Sequence, residues 1–250
     1  MTDLTALASY CDELLNVAAF QDYCPNGIQV DAERPVRRLA SGVTASAALL
    51  EEARAWGADA VLVHHGWFWR GEDPRLIGMK GRRVRTLMRA GVGLLAYHLP
   101  LDAHAELGNN RRLADLLGFE DAAATTLCNG ILWRGRLAGP IQAKDLAVRI
   151  ATVLGREPLH IEGRAAPIEQ VAWCSGGAQG YIEEAASLGV DAYLSGEVSE
   201  QTTHQARELG LDYFALGHHA SERYGVQALG GHLAGRFGLE HRFFDIDNPA

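Results

Sequence analysis

Residues 35–65, PVRRLASGVTASAALLEEARAWGADAVLVHH, and residues 167–197, PIEQVAWCSGGAQGYIEEAASLGVDAYLSGE, align without a gap. A repeat of this length constrains the chain more than any single motif, because both copies must fold to one kind of supersecondary unit. Pro35 matches Pro167, Glu51-Glu52-Ala53 matches Glu183-Glu184-Ala185, Gly57 matches Gly189, and Asp59-Ala60 matches Asp191-Ala192. Each copy reads as strand, small-residue turn, helix, glycine stop and second apolar strand. That order is a βαβ unit, which implies a parallel strand pair joined by a right-handed crossover. The match continues from Arg89–Asp102 into Glu208–Glu222, with one residue inserted, and from LADLLG (Leu113–Gly118) into LAGRFG (Leu233–Gly238). A leading helix also recurs, DLTALA from Asp3 and DLAVRI from Asp145. The expected architecture is α/β, with two pseudo-repeated βαβ-based lobes, residues 1–126 and 127–250, facing a shared cleft.

The chain has 250 residues, 48% hydrophobic and 22% charged, as expected of an ordinary globular protein with a sizeable core. No apolar run is long enough to span a membrane. The start, MTDLTALASYCDELL, lacks a basic region and carries Asp12 and Glu13, so no secretory leader is expected. Cys11, Cys24, Cys128 and Cys174 show no CxxC spacing, which points to reduced thiols and a cytoplasmic protein. A formal net charge of −8 argues against a general nucleic-acid partner. The basic cluster Lys80–Arg89 has helical spacing and reads as a solvated helix face. An anionic substrate docking there is the lesser alternative.

Potential ligands follow apolar, strand-like runs at four places. They are His64-His65, the group His98, Asp102 and His104, the group Glu197, Glu200 and His204, and the group His218, His219 and Glu222. Within the repeat, His65 occupies the position of Glu197, and Asp102 that of Glu222. The carboxyl ends of parallel strands are where α/β sheets place ligands. His218 and Glu222 share a helical face if a helix starts near Gly217, although His219 and Glu222, three apart, fit nearly as well. Imidazoles with carboxylates and no thiolate suit Zn²⁺, Fe²⁺, Mn²⁺, Ni²⁺ or Co²⁺. Five or six donors exceed the needs of one tetrahedral ion and suggest two, about 3.5–4 Å apart. The competing reading is a structural His/Asp hydrogen-bond network. No G-x-S-x-G elbow, Walker A loop or dinucleotide fingerprint supports a serine hydrolase or a nucleotide fold. The loop SGGAQG (Ser175–Gly180) reads equally well as a tight βα turn or as a phosphate cradle.

These motifs resemble the Nif-three-like family, the type-two homologues of GTP cyclohydrolase I. The resemblance covers nearly the whole chain. It rests on PNGIQVD (Pro25–Asp31), ADAVLVHHGWFWRG, YHLPLDAH with LGNN soon after, and SGEVSEQTTHQARELG followed by GHHASERYG. It implies a dinuclear metal site between two similar lobes and a toroidal homohexamer, a trimer of dimers. The family's metal ligands fall on His64, His65, Asp102, His218 and Glu222, and His98 and His219 become candidate catalytic groups. A long insert carried by some relatives between the lobes is missing here, which implies the compact bacterial form.

Two function classes follow. One is a metal-dependent hydrolase of a nucleotide-like, anionic small molecule, in the cyclohydrolase case attacking the guanine imidazole ring while His98 or His219 moves protons. The other is a non-enzymatic metal-handling or adaptor protein. Trp67, Phe68 and Trp69 are expected to close the cleft or to pack in an interface.

Overall fold

The computed structural model describes residues 2–250. In the first half, α1 (Leu4–Leu14), β1 (Gly27–Val30), β2 (Arg38–Thr44), α2 (Ala47–Trp56), β3 (Ala60–His65), α3 (Gly78–Ala90) and β4 (Gly93–Ala96) precede α4 (Leu99–Ala103), α5 (Asn109–Leu117) and β5 (Glu120–Ala124). The second half runs β6 (Trp133–Ile141), α6 (Ala143–Leu154), β7 (Leu159–Ile161), β8 (Ile168–Cys174), α7 (Ile182–Ser187), β9 (Ala192–Ser195), α8 (Thr202–Leu209), β10 (Asp212–Ala215), α9 (His218–Phe237) and β11 (Glu240–Phe243).

The repeat is realised as two sheets with a common plan. One has the order β1-β4-β3-β2-β11 and the other β5-β6-β8-β9-β10-β7. Strands β2, β3 and β4 run parallel, as do β8, β9 and β10, and an antiparallel edge strand, β1 or β7, flanks each set. The shared residues explain the shared plan. Asp59 Oδ2 accepts the amides of Arg37 and Arg38, each at 2.9 Å. Asp191 Oδ2, its repeat partner, accepts those of Glu169 and Gln170 at 2.9 and 2.8 Å. Each carboxylate thereby ties the start of one parallel strand to the start of the next.

Helix α2 is delimited locally. Ser46 caps its first turn by accepting the Leu49 amide at 3.2 Å. Gly57 ends it in the left-handed region, at φ 79°, where a side chain would be strained. Leu49, Leu50 and Ala53 face the sheet. Strand β3 is a continuous apolar run because both of its faces are covered, and Val61, Leu62 and Val63 are fully buried. Burial of each such side chain stabilises the fold by about 1.5–3 kcal/mol. Helix α3 buries Gly81, Val84 and Leu87 at three-residue spacing and leaves Arg82, Arg85 and Arg89 exposed, the solvated basic face expected from the sequence.

The compact units interleave the chain. One comprises residues 1–101 and 225–247, the other 102–224 and 248–250. The division expected between residues 126 and 127 is a boundary in the repeated sequence, and the spatial units follow strand pairing instead. The terminal strand of each repeat lies in the sheet of the other: β5 pairs with β6, and β11 with β2. Each unit has its own apolar core, around Leu49, Val61 and Leu94 in the first and around Leu137, Ile150, Trp173 and Phe214 in the second.

Candidate metal centre

In the first unit, β3 continues to His65, so the two adjacent histidines are its last two residues. Strand geometry alone would send them to opposite faces. Their ring centroids nevertheless lie only 4.6 Å apart. One ring nitrogen from each of His64, His65 and His98 falls within 4.8 Å of the other two. Each imidazole is held at Nδ1. That of His64 lies 2.9 Å from the Tyr97 carbonyl and that of His65 3.3 Å from the Thr44 hydroxyl. His98 Nδ1 donates to Asp22 Oδ1 at 2.7 Å. The Trp69 ring stands perpendicular to His98, with centroids 5.0 Å apart.

Asp22 receives four donors. Oδ1 takes His98 Nδ1 and the Tyr23 amide, and Oδ2 takes Asn26 Nδ2 and the Leu99 amide. Burial opposes its ionisation, but the His98 bond and charge, with Asn26 and the Tyr23 amide, outweigh that and pull the carboxyl down to about 2. Cys24 lies beside Asp22 and His98. Its thiol is pushed up to about 12 by burial and by the Asp22 charge, so it stays protonated at neutral pH.

In the second unit, α9 begins at His218 immediately after Gly217, and His218 and Glu222 lie one turn apart with Nε2 and Oε2 separated by 3.1 Å. Glu197, just past β9, holds His218 Nδ1 at 2.7 Å. Burial disfavours charge on His218, yet the bonds and charges of Glu222 and Glu197 outweigh it and raise its pKa to about 9. Asp102 is buried, and its Oδ1 accepts Asn109 Nδ2 at 2.8 Å and the Ser175 hydroxyl at 3.1 Å. Gly176, at φ 65°, runs so close to these groups that a Cβ would collide with Glu222 Oε1 and press on His218 Nε2 at 3.1 Å.

Residues 2–249 match the family model described as Duf34/NIF3 (NGG1p interacting factor 3). The chain belongs to the Duf34/NIF3 family. A curated relative from Allochromatium vinosum, named GTP cyclohydrolase 1 type 2 homolog, is 64% identical over 250 residues, covering 100% of this chain and 98% of that one. A Pseudomonas aeruginosa protein of the same name is 55% identical over 249 residues, 99% of this chain and 98% of that one. Among solved structures, the protein ybgI, described as of unknown function, superposes with a TM-score of 0.95 at 48% identity, covering 100% of both chains. TTHA1606 from Thermus thermophilus gives a TM-score of 0.91 at 33% identity, again over 100% of both. The two pseudo-repeated α/β lobes are thus the fold of close structural relatives in the Duf34/NIF3 family.

In this Duf34/NIF3 chain the histidine-rich segments divide by role. His64, His65 and His98 form one group, and His218 meets Glu222 and Glu197. His104 does something else: its Nδ1 accepts the amides of Glu106 and Leu107 and so shapes a turn. Glu200 and His204 form an exposed pair 3.6 Å apart. His219 follows His218 by about 100° around α9, and its amide bonds to the Ala250 carbonyl at 3.1 Å. In the Ser175–Gly180 loop, three amides are engaged within the protein. Ser175, Gly176 and Ala178 donate to Asn110 Oδ1, Ser221 Oγ and Ser195 Oγ respectively. Trp67 is core, with Nε1 bonded to the Ala45 carbonyl. Sequence reasoning missed Asp22. The PNGIQVD motif three residues downstream was the nearest signal, since its Asn26 bonds to Asp22.

Proposed function

We propose that this chain is a dinuclear metal-binding protein that hydrolyses a nucleotide-like substrate. The observation that supports the metal reading best is uniform. Each of His64, His65, His98 and His218 has Nδ1 engaged, by a carbonyl, a hydroxyl or a carboxylate. Metal-binding imidazoles are characteristically anchored this way, with the outer hydrogen bond fixing tautomer and ring orientation. The donor chemistry fits a borderline divalent ion such as zinc, iron, manganese, nickel or cobalt, because it combines imidazoles with the carboxylates of Asp102 and Glu222 and uses no thiolate. The glycine at 176 keeps side-chain bulk away from His218 and Glu222.

On the family resemblance, His64, His65, Asp102, His218 and Glu222 are the ligands of two ions. Bound there, such ions lower the pKa of water toward neutrality and polarise the atom under attack. His98 then moves the proton, with His219 as the other candidate. The name shared by the curated relatives extends the proposal to a purine nucleotide such as GTP. The family also suggests a homohexamer in the cytoplasm.

The test is elemental analysis by mass spectrometry on the tag-free chain, His65→Ala and Asp102→Ala. About two ions per chain in the parent, with the content reduced by either substitution, supports the ligand assignment. An unchanged content in both variants overturns the ligand assignment. Hydrolysis of GTP or related nucleotides by the loaded parent supports the enzyme. Metal without turnover of any nucleotide or phosphoester favours the metal-handling alternative.

A further inference from the structure

We infer that Asp22 is a positioning residue that locks His98 in the tautomer with the proton on Nδ1 and the lone pair on Nε2. The inference deepens the proposed function and rests on it for its catalytic consequence, but the tautomer itself follows from hydrogen-bond accounting.

An ionised carboxylate only accepts. Every direction around Asp22 is claimed by a donor: the Tyr23 amide at 2.6 Å, the Leu99 amide at 3.0 Å, Asn26 Nδ2 at 2.9 Å and His98 Nδ1 at 2.7 Å. The side chain is 4% exposed, so water does not compete for these positions. Asn26 is itself oriented, because its Oδ1 accepts the His98 amide at 2.8 Å. That leaves His98 Nδ1 no choice but to donate. In a neutral ring, Nε2 then carries the lone pair. Since Nδ1 is taken up by Asp22, Nε2 is the nitrogen available to the group that His98 forms with His64 and His65. A full set of donors also marks Asp22 as an orienting group rather than a ligand.

The same four donors dictate the effect of Asp22→Asn. An amide must place its NH₂ on one side. On the Oδ2 side it would meet both the Leu99 amide and Asn26 Nδ2. On the Oδ1 side it meets one fixed donor, the Tyr23 amide, and His98, which can yield by changing tautomer. The NH₂ therefore settles toward His98, donates to Nδ1, and moves the proton to Nε2. The group that should accept a proton then carries one.

The experiment is solid-state ¹⁵N NMR on full-length, metal-free protein labelled at histidine, at pH 8, with His98→Gln identifying the His98 signals by difference. The parent should show Nδ1 protonated and Nε2 unprotonated, and D22N the reverse. A parent ring with Nε2–H, or one doubly protonated, overturns the inference, as does a folded D22N with an unchanged tautomer. The parent measurement decides even if D22N fails to fold. No metal or substrate enters the readout, so failure of the hydrolase reading and failure of this inference remain separate results. Where turnover is found, D22N should lower kcat about 10–100-fold with little change in KM.

Discussion

Glu197 Oε1 lies 2.7 Å from Nδ1 of His218, while Glu222 Oε2 lies 3.1 Å from the other nitrogen of the same ring. Burial works against a charged ring, but the two carboxylates hold its proton, and the His218 pKa stands at about 9 instead of 6.5. A raised folded-state pKa stabilises the protein fully below the unfolded value, and that contribution is lost as pH rises through the folded value. The metal-free protein should therefore lose stability between about pH 6.5 and 9. Thermal melts of chelator-treated protein across that range check this, and Glu197→Gln should flatten the dependence.

The proton on His218 is also one that metal uptake must displace, because imidazole binds in its neutral form. Zinc titrated into the metal-free chain at pH 7.5 should release protons. Calorimetry in buffers of different ionisation enthalpy measures the number. Glu197→Gln should release fewer, since its His218 begins with less proton bound.

Asp22 carries the opposite linkage. Its carboxyl is held at about 2, below its ordinary value of 3.8. A depressed carboxyl contributes stability above the unfolded pKa, and that stability disappears as pH falls through the folded pKa. The window is about pH 4 to 2, and the shift corresponds to about 2 kcal/mol. Urea unfolding of parent and Asp22→Asn should show a gap of that order at pH 7 that narrows at pH 3. A constant gap would mean that packing, and not charge, is what the substitution removes.

Much of the fold is legible because repetition and apolar periodicity are local. The Asp59-Ala60 and Asp191-Ala192 matches mark the starts of β3 and β9, where both aspartates bind a neighbouring strand. The exchange of terminal strands is not legible. Strand β5 is short and mostly exposed, so it carries no apolar alternation, and its pairing with β6 rests on backbone bonds and on Arg136 beside Glu120 and Asp121. The candidate ligands are visible because imidazole pairs after apolar runs are rare. Asp22 is invisible for a different reason. It acts across 76 positions of chain, and no spacing rule joins a loop aspartate to a histidine that distant.

Removing Asp191 tests the repeated strand tie. Asp191→Ala leaves the Glu169 and Gln170 amides without their carboxylate acceptor. Both amides are exposed and water replaces the carboxylate, so the loss is that of ordinary hydrogen bonds, about 0.5–1.5 kcal/mol each. Denaturant unfolding should register that loss, with metal content unchanged, because Asp191 sits at the opposite end of β9 from Glu197.

Gly176 offers the sharpest separation of backbone strain from crowding at the donors. Gly176 and Gly189 have nearly the same left-handed backbone, at φ 65° and 70°. A Cβ at Gly189 meets nothing within 4 Å, whereas one at Gly176 runs into Glu222 and His218. Alanine at either position carries the same conformational cost of about 1–2 kcal/mol. Only Gly176→Ala also displaces the two donors. Gly189→Ala should lower Tm while keeping the parent's metal content, and Gly176→Ala should lower both. Equal metal loss in the two variants would show that general destabilisation, and not the space beside His218 and Glu222, governs occupancy.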